Sequence, residues 1–62
     1  MGMPKTKADC DKEIARLKGE IATLRASIPM YKEKSSKDST RVSIAQKQSR
    51  IAELQAHKKT LL

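Results

Sequence analysis

Four carboxylates near the start of the chain have types and spacing that could support acid–base chemistry. They are Asp9, Asp11, Glu13 and Glu20, and the four-residue step from Asp9 to Glu13 places two of them on one face of a helix. A catalytic carboxylate needs burial or a coupled neighbour to shift its pKa, and the surface of a helix in a chain of 62 residues offers no cleft. We therefore interpret them as solvated groups, with Asp9 and Asp11 stabilising the first turn through the helix dipole.

Cys10 and His57 are the only cysteine and the only histidine, so they complete neither a disulfide within the chain nor a zinc-binding set. Cys10 falls in the first turns of the predicted helix, where a reactive thiolate or a disulfide between two copies is conceivable. It also fits an apolar position of that helix, which is the interpretation we favour. His57 is expected at the surface or at a bundle edge. The sequence predicts no catalytic residue, no metal, no cofactor and no enzymatic activity.

Basic residues form the pattern with the most functional weight, because fourteen Lys and Arg against seven Asp and Glu give a net charge of +7. Such a balance attracts nucleic acid and acidic proteins alike. Contacts with phosphate need only charge, whereas stacking on single-stranded bases needs aromatic side chains, and Tyr31 is the only one. A surface that merely keeps the protein soluble is the alternative. The candidate anion-binding residues are Lys32, Lys34, Lys37, Arg41, Lys47, Arg50, Lys58 and Lys59.

A heptad repeat of apolar residues must position these charged groups, and it predicts a first helix over about residues 7–28. Thr6 is placed to cap this helix, with Asp9 three residues further on. Pro29 ends it, because proline disfavours helical geometry in the residue before it. The steps of three and four residues give one apolar seam, made of Cys10, Ile14, Leu17, Ile21, Leu24 and Ile28.

A polar stretch follows, and its near lack of apolar residues favours a loop over about residues 29–38. A second helix that starts at Pro29 itself is the variant interpretation, since proline suits the first helical position. The preferred second helix covers about residues 39–60 and has a weaker seam, which Lys47 and Lys58 interrupt. Its apolar members are Ile44, Ile51, Leu54 and Leu61.

Two arrangements bury these seams. In an antiparallel hairpin the second helix covers the first, and Glu20 would approach Arg50 while Glu13 approaches His57. In a parallel coiled-coil dimer the first helix pairs with its own copy, which Ile at one seam position and Leu at the other favour. A single hairpin buries few side chains, so small chains of this kind usually associate. We predict an all-α, antiparallel two-helix hairpin in a homodimeric four-helix bundle, with the parallel dimer as the alternative.

The domain organisation follows from these elements: a disordered lead over residues 1–6 and a single helical hairpin domain over residues 7–62. No apolar run is long enough to span a membrane, and a lone cysteine suits a reducing compartment, so the expected location is cytoplasmic.

The predicted function is a small protein–protein interaction module, a self-associating basic hairpin that acts as an adaptor, assembly factor or inhibitor. Its partner would be an acidic protein. The alternative is a small nucleic-acid-binding regulator that works through phosphate contacts.

Overall fold

The chain folds as two helices packed against each other, in a computed structural model that describes residues 3–61. Helix α1 spans Lys7–Ser27, a short 3₁₀ turn spans Ile28–Met30, and helix α2 spans Lys34–Thr60. The molecule is a rod of 47 × 17 × 14 Å. This architecture confirms the predicted all-α hairpin.

The ends of α1 follow from local chemistry, as its sequence indicates. Thr6 is the N-cap, and its Oγ1 accepts a hydrogen bond from the backbone N–H of Asp9 at 3.1 Å. At the other end, Ser27 Oγ donates to the carbonyl of Leu24 at 2.7 Å, and Pro29 lies in the 3₁₀ turn that follows. The helix therefore stops where proline is no longer compatible with its hydrogen bonds.

The connection between the helices is much shorter than the predicted loop of residues 29–38. Helix α2 begins at Lys34, five residues before the expected start near 39, which leaves Tyr31–Glu33 between the 3₁₀ turn and the helix. Within this Ser- and Thr-rich stretch, Thr40 Oγ1 donates a hydrogen bond to the carbonyl of Ser36 at 2.9 Å, so its hydroxyl is satisfied inside the helix. Thr40 is only 8% exposed and extends the buried seam into the stretch predicted as loop.

The core lies along the contact between α1 and α2. Leu54 and Cys10 are fully buried, and Leu24 and Ile28 are partly buried against the same cluster. Leu61, the last described residue, is half-buried. The buried apolar side chains are Cys10, Ile14, Leu17, Ile21, Ile44, Ile51 and Leu54. The residues predicted as an oligomer seam are therefore mostly used within one chain.

Two ion pairs join the helices and show their register. Lys47 Nζ donates to Glu20 at 2.8 Å, and Lys58 Nζ donates to Asp11 at 2.6 Å. The lysines that interrupt the second apolar seam are thus the ones that bridge to α1. The predicted pairing of Glu20 with Arg50 is wrong by about one helical turn, because the shorter connection shifts α2 relative to α1.

The residues before α1 pack back on the hairpin instead of extending into solvent. Met3 packs against the core cluster, and its Sδ accepts a hydrogen bond from Arg50 Nη1 at 3.1 Å. His57 Nε2 donates to the carbonyl of Pro4 at 2.7 Å, so His57 does not pair with Glu13 as predicted. This arrangement differs from the predicted disorder of residues 1–6; Met1 and Gly2, like Leu62, lie outside the described residues.

Candidate interaction surfaces

Three of the four carboxylates that could have formed an acid–base site lie in ion pairs, and the fourth, Asp9, is exposed in the first turn of α1. Asp11 pairs with Lys58, Glu13 pairs with Arg16, and Glu20 lies between Arg16 and Lys47. The hydrogen bond from Lys47 is the main cause that lowers the pKa of Glu20; partial burial opposes it, and the charges of Lys47 and Arg16 add to it. These pairs neutralise the acids, so the arrangement favours a structural role for them.

Cys10 and His57 occupy different environments. Cys10 is a free, fully buried thiol in the core, a placement that suits the apolar interpretation of this residue. His57 is half-buried and holds the carbonyl of Pro4. Within residues 3–61, no three of the His, Cys, Asp and Glu side chains come together as a possible metal site, and neither helix is long and apolar enough to cross a membrane.

The eight candidate anion-binding residues divide into paired and unpaired groups. Four of them lie in ion pairs: Arg41 with Asp38, Lys47 with Glu20, Arg50 with Glu53, and Lys58 with Asp11. The other four form no ion pair with any described residue: Lys32, Lys34, Lys37 and Lys59. Three of these lie at the turn and the fourth lies at the opposite end of the rod, so the hairpin has a basic surface at each end.

The surface at the turn combines apolar and basic side chains. Met30 is 76% exposed and Tyr31 is 37% exposed, and unpaired lysines follow directly in the chain. We call this the turn surface; it consists of Met30, Tyr31, Lys32, Lys34 and Lys37. Of the three large apolar side chains that are exposed among residues 3–61, two belong to it, and Val42 on α2 is the third.

The Tyr31 hydroxyl is part of the same turn. Hydrogen bonding by the hydroxyl of Ser27, and then by that of Thr40, lowers the pKa of Tyr31 against a smaller opposing effect of burial. Hydroxyl hydrogens rotate to suit their acceptor, so both groups can turn toward a phenolate oxygen. The Tyr31 hydroxyl therefore lies near the hydroxyls of Ser27, at the end of α1, and of Thr40, in α2.

We expect Tyr31 to ionise at a lower pH in the folded chain than in the chain unfolded by guanidinium. Because the folded-state pKa is the lower one, the folded chain gains stability as the pH rises through this range. Tyr31 is the only aromatic residue, so phenolate absorbance in a pH titration reports on it alone. Ser27→Ala should move the midpoint toward that of the unfolded chain, whereas Ser49→Ala, at an exposed position of α2, should not. Identical midpoints for the folded and unfolded chains would contradict this contact.

A groove at the other end of the rod collects lysines from both helices. It has a volume of about 560 Å³ and an apolar contribution from Ile14. We call it the lysine groove; its lining residues are Lys7, Asp11, Ile14, Lys18, Gln55, Lys58 and Lys59. Lys58 and Lys59 are among the anion-binding candidates predicted from the sequence, whereas Lys7 and Lys18 are not, because they join the other two only after α1 and α2 pack.

A second, more open groove lies beside the pair formed by Glu20 and Lys47. It has a volume of about 660 Å³, and Gly19 and Leu24 contribute to its lining together with Arg16 and Thr23. Its lining carries two cations and one carboxylate, a net charge of +1, and Glu20 pairs with both Arg16 and Lys47. The lysine groove, with four lysines and one carboxylate in its lining, carries the larger positive charge.

No family model, curated protein or solved structure matches this chain.

Proposed function

We propose that this chain is a small non-enzymatic protein–protein interaction module, a basic helical hairpin that self-associates and acts as an adaptor, assembly factor or inhibitor. The observation that carries the proposal is the turn surface. There, two of the exposed large apolar side chains, Met30 and Tyr31, stand next to Lys32, Lys34 and Lys37. A hydrophobic centre with charged residues around it is the usual composition of a protein interface.

The partner that fits the turn surface is an acidic protein. Met and Tyr are enriched in the cores of interfaces, whereas Lys belongs at their rims. These three lysines form no ion pair among the described residues, and they outnumber the exposed carboxylate of Glu33 between them, so a net positive charge remains to steer an acidic surface toward Met30. The same charge opposes the approach of a second turn surface, so two copies would associate along the sides of their helices.

Self-association is supported by the small size of the core. Seven apolar side chains are buried between two helices, and chains of this size usually need oligomerisation or another cross-link to gain stability. Two hairpins side by side would form the homodimeric four-helix bundle. A parallel coiled coil would use the α1 seam that α2 covers in this structure, so it would require the hairpin to open.

Light scattering, with and without an acidic peptide, tests both parts of this proposal. The peptide is a synthetic helix with glutamates and one face of leucines. We expect the wild-type protein to have the mass of two chains and to bind the peptide. Met30→Ser should weaken peptide binding about tenfold, which corresponds to roughly 1.4 kcal/mol. Val42→Ser is the matched control, because Val42 is also exposed but lies outside the turn surface.

Two results would contradict the proposal. If the wild-type protein is a fully helical monomer at every concentration, the proposal of self-association is wrong. If Met30→Ser and Val42→Ser weaken peptide binding equally, the turn surface is not the site of contact.

A further inference from the structure

We propose that the lysine groove binds the phosphate backbone of duplex nucleic acid without reading its sequence. This binding site lies at the opposite end of the rod from the turn surface and goes beyond the protein-interaction role. Four lysines and one carboxylate line the groove. Contributions from α1 and from α2 are both required, so the groove exists only in the folded hairpin.

The charge balance of the groove favours an anion. Asp11 is its only acidic lining residue, and this carboxylate accepts a hydrogen bond from Lys58 at 2.6 Å. The remaining lysines, Lys7, Lys18 and Lys59, form no ion pair with any residue in the described part of the chain. A concave surface lined by one sign of charge raises the local concentration of its counter-ion.

The spacing of the lysines favours an extended polyanion over a single small anion. Lys7 and Lys18 are eleven residues apart on α1, which is about 16 Å along the helix axis. Lys58 pairs with Asp11, whose position in α1 lies between them, so this pair holds α2 against the middle of the span. One strand of a duplex presents a phosphate about every 3.4 Å of axis, so the groove is long enough to face several consecutive phosphates.

The lining also favours a duplex over a single strand. Proteins that bind single strands without sequence preference stack the bases on aromatic side chains. No aromatic residue lines the groove, and the single aromatic residue, Tyr31, belongs to the turn surface at the other end. Lysine side chains that contact phosphate supply affinity but carry no sequence information.

Fluorescence anisotropy with a labelled, mixed-sequence DNA duplex over a series of salt concentrations tests this inference. The groove variant carries Lys7→Gln, Lys18→Gln and Lys59→Gln, and leaves Lys58 in place to hold Asp11. Its matched control carries Lys32→Gln, Lys34→Gln and Lys37→Gln. Both variants lose the same charge, but at opposite ends of the rod.

We expect the groove variant to lose more than about tenfold in affinity at low salt and roughly 2.7 in the slope of log affinity against log salt, as three lost phosphate contacts predict. The turn control should stay close to wild type. Lys18→Glu alone reverses one charge at an exposed position of α1 and should also weaken binding. Circular dichroism of each variant establishes that the helices are intact.

Several outcomes would overturn the assignment. Equal losses in the groove variant and the turn control would show only the general attraction of a basic chain. A wild-type protein with no salt-dependent duplex binding, or with tighter binding to a single strand, would exclude a duplex site. Competition by poly-L-glutamate as effective as that by unlabelled duplex would assign the groove to an acidic polypeptide. The apolar contact of the turn surface is tested separately, by Met30→Ser.

Discussion

Leu54→Ala is expected to leave the chain largely unfolded at room temperature. Leu54 has no exposed surface and lies in the core cluster with residues of both helices. Removing a buried leucine side chain typically costs about 2–5 kcal/mol, through lost burial and the cavity that remains. A single core in a chain of this length rarely supplies more than about 3–5 kcal/mol, so one such change removes most of the stability.

Urea titration followed by far-ultraviolet circular dichroism measures this effect. Val42→Ala is the matched control, because Val42 is an aliphatic residue of the same helix that is 56% exposed. This control should change the free energy of unfolding by no more than about 0.5 kcal/mol. A Leu54→Ala variant with the wild-type urea midpoint would show that α1 and α2 do not pack through this core.

Gly19→Ala is expected to have the second largest effect on stability, in the stabilising direction. Gly19 lies in the interior of α1, where glycine costs about 1 kcal/mol relative to alanine. A Cβ atom added there meets nothing within 4 Å, so the substitution gains helix propensity without a clash. The hydrogen bond from Thr23 Oγ1 to the carbonyl of Gly19 uses backbone that alanine also provides.

Thermal unfolding measures this gain. A stabilisation of about 1 kcal/mol corresponds to a rise of roughly 4–8 °C in the melting temperature of a domain this small. The reverse change at a neighbouring exposed position of α1, Ala22→Gly, should lower the melting temperature by a similar amount. If Gly19→Ala lowers the melting temperature, another surface must approach the helix at this position, and the association state of the variant would show whether that surface belongs to a second copy.

The placement of the two surfaces gives the hairpin a simple division of roles. The turn surface lies at one end of a rod 47 Å long, and the lysine groove lies toward the other end. If both proposals hold, the chain can contact an acidic protein and a duplex at the same time, because neither surface covers the other. This arrangement would suit an adaptor better than an inhibitor that blocks one site.

The first helix could be predicted closely from the sequence because its signals are local. The heptad steps from Ile14 to Leu24, the cap at Thr6 and the break at Pro29 all act within one or two helical turns. The start of α2 could not be predicted in the same way. Its first turns contain no apolar repeat, and the burial of Thr40 in them depends on the packing of α2 against α1.

The two candidate sites also differ in how far they could be predicted from the sequence. The turn surface is contiguous in the chain, so Lys32, Lys34 and Lys37 were identifiable from the sequence as a basic cluster. Its apolar partner Met30 was not, because exposure depends on what the rest of the chain covers. Half of the lysines in the lysine groove were identifiable: Lys58 and Lys59 were among the candidates, but Lys7 and Lys18 were not, because only the packing of α1 on α2 brings them together.

The seam and the cap of α1 could be predicted from the sequence, since each depends on residues a few positions apart, and the basic balance follows from composition. Tertiary structure decided the register, the return of Met3 to the core and the grouping of Lys7 and Lys18 with the lysines of α2. The register depends on the short connection between α1 and α2. Three residues between the 3₁₀ turn and α2 fix which turn of one helix faces which turn of the other, and a change of one turn would bring different charges together.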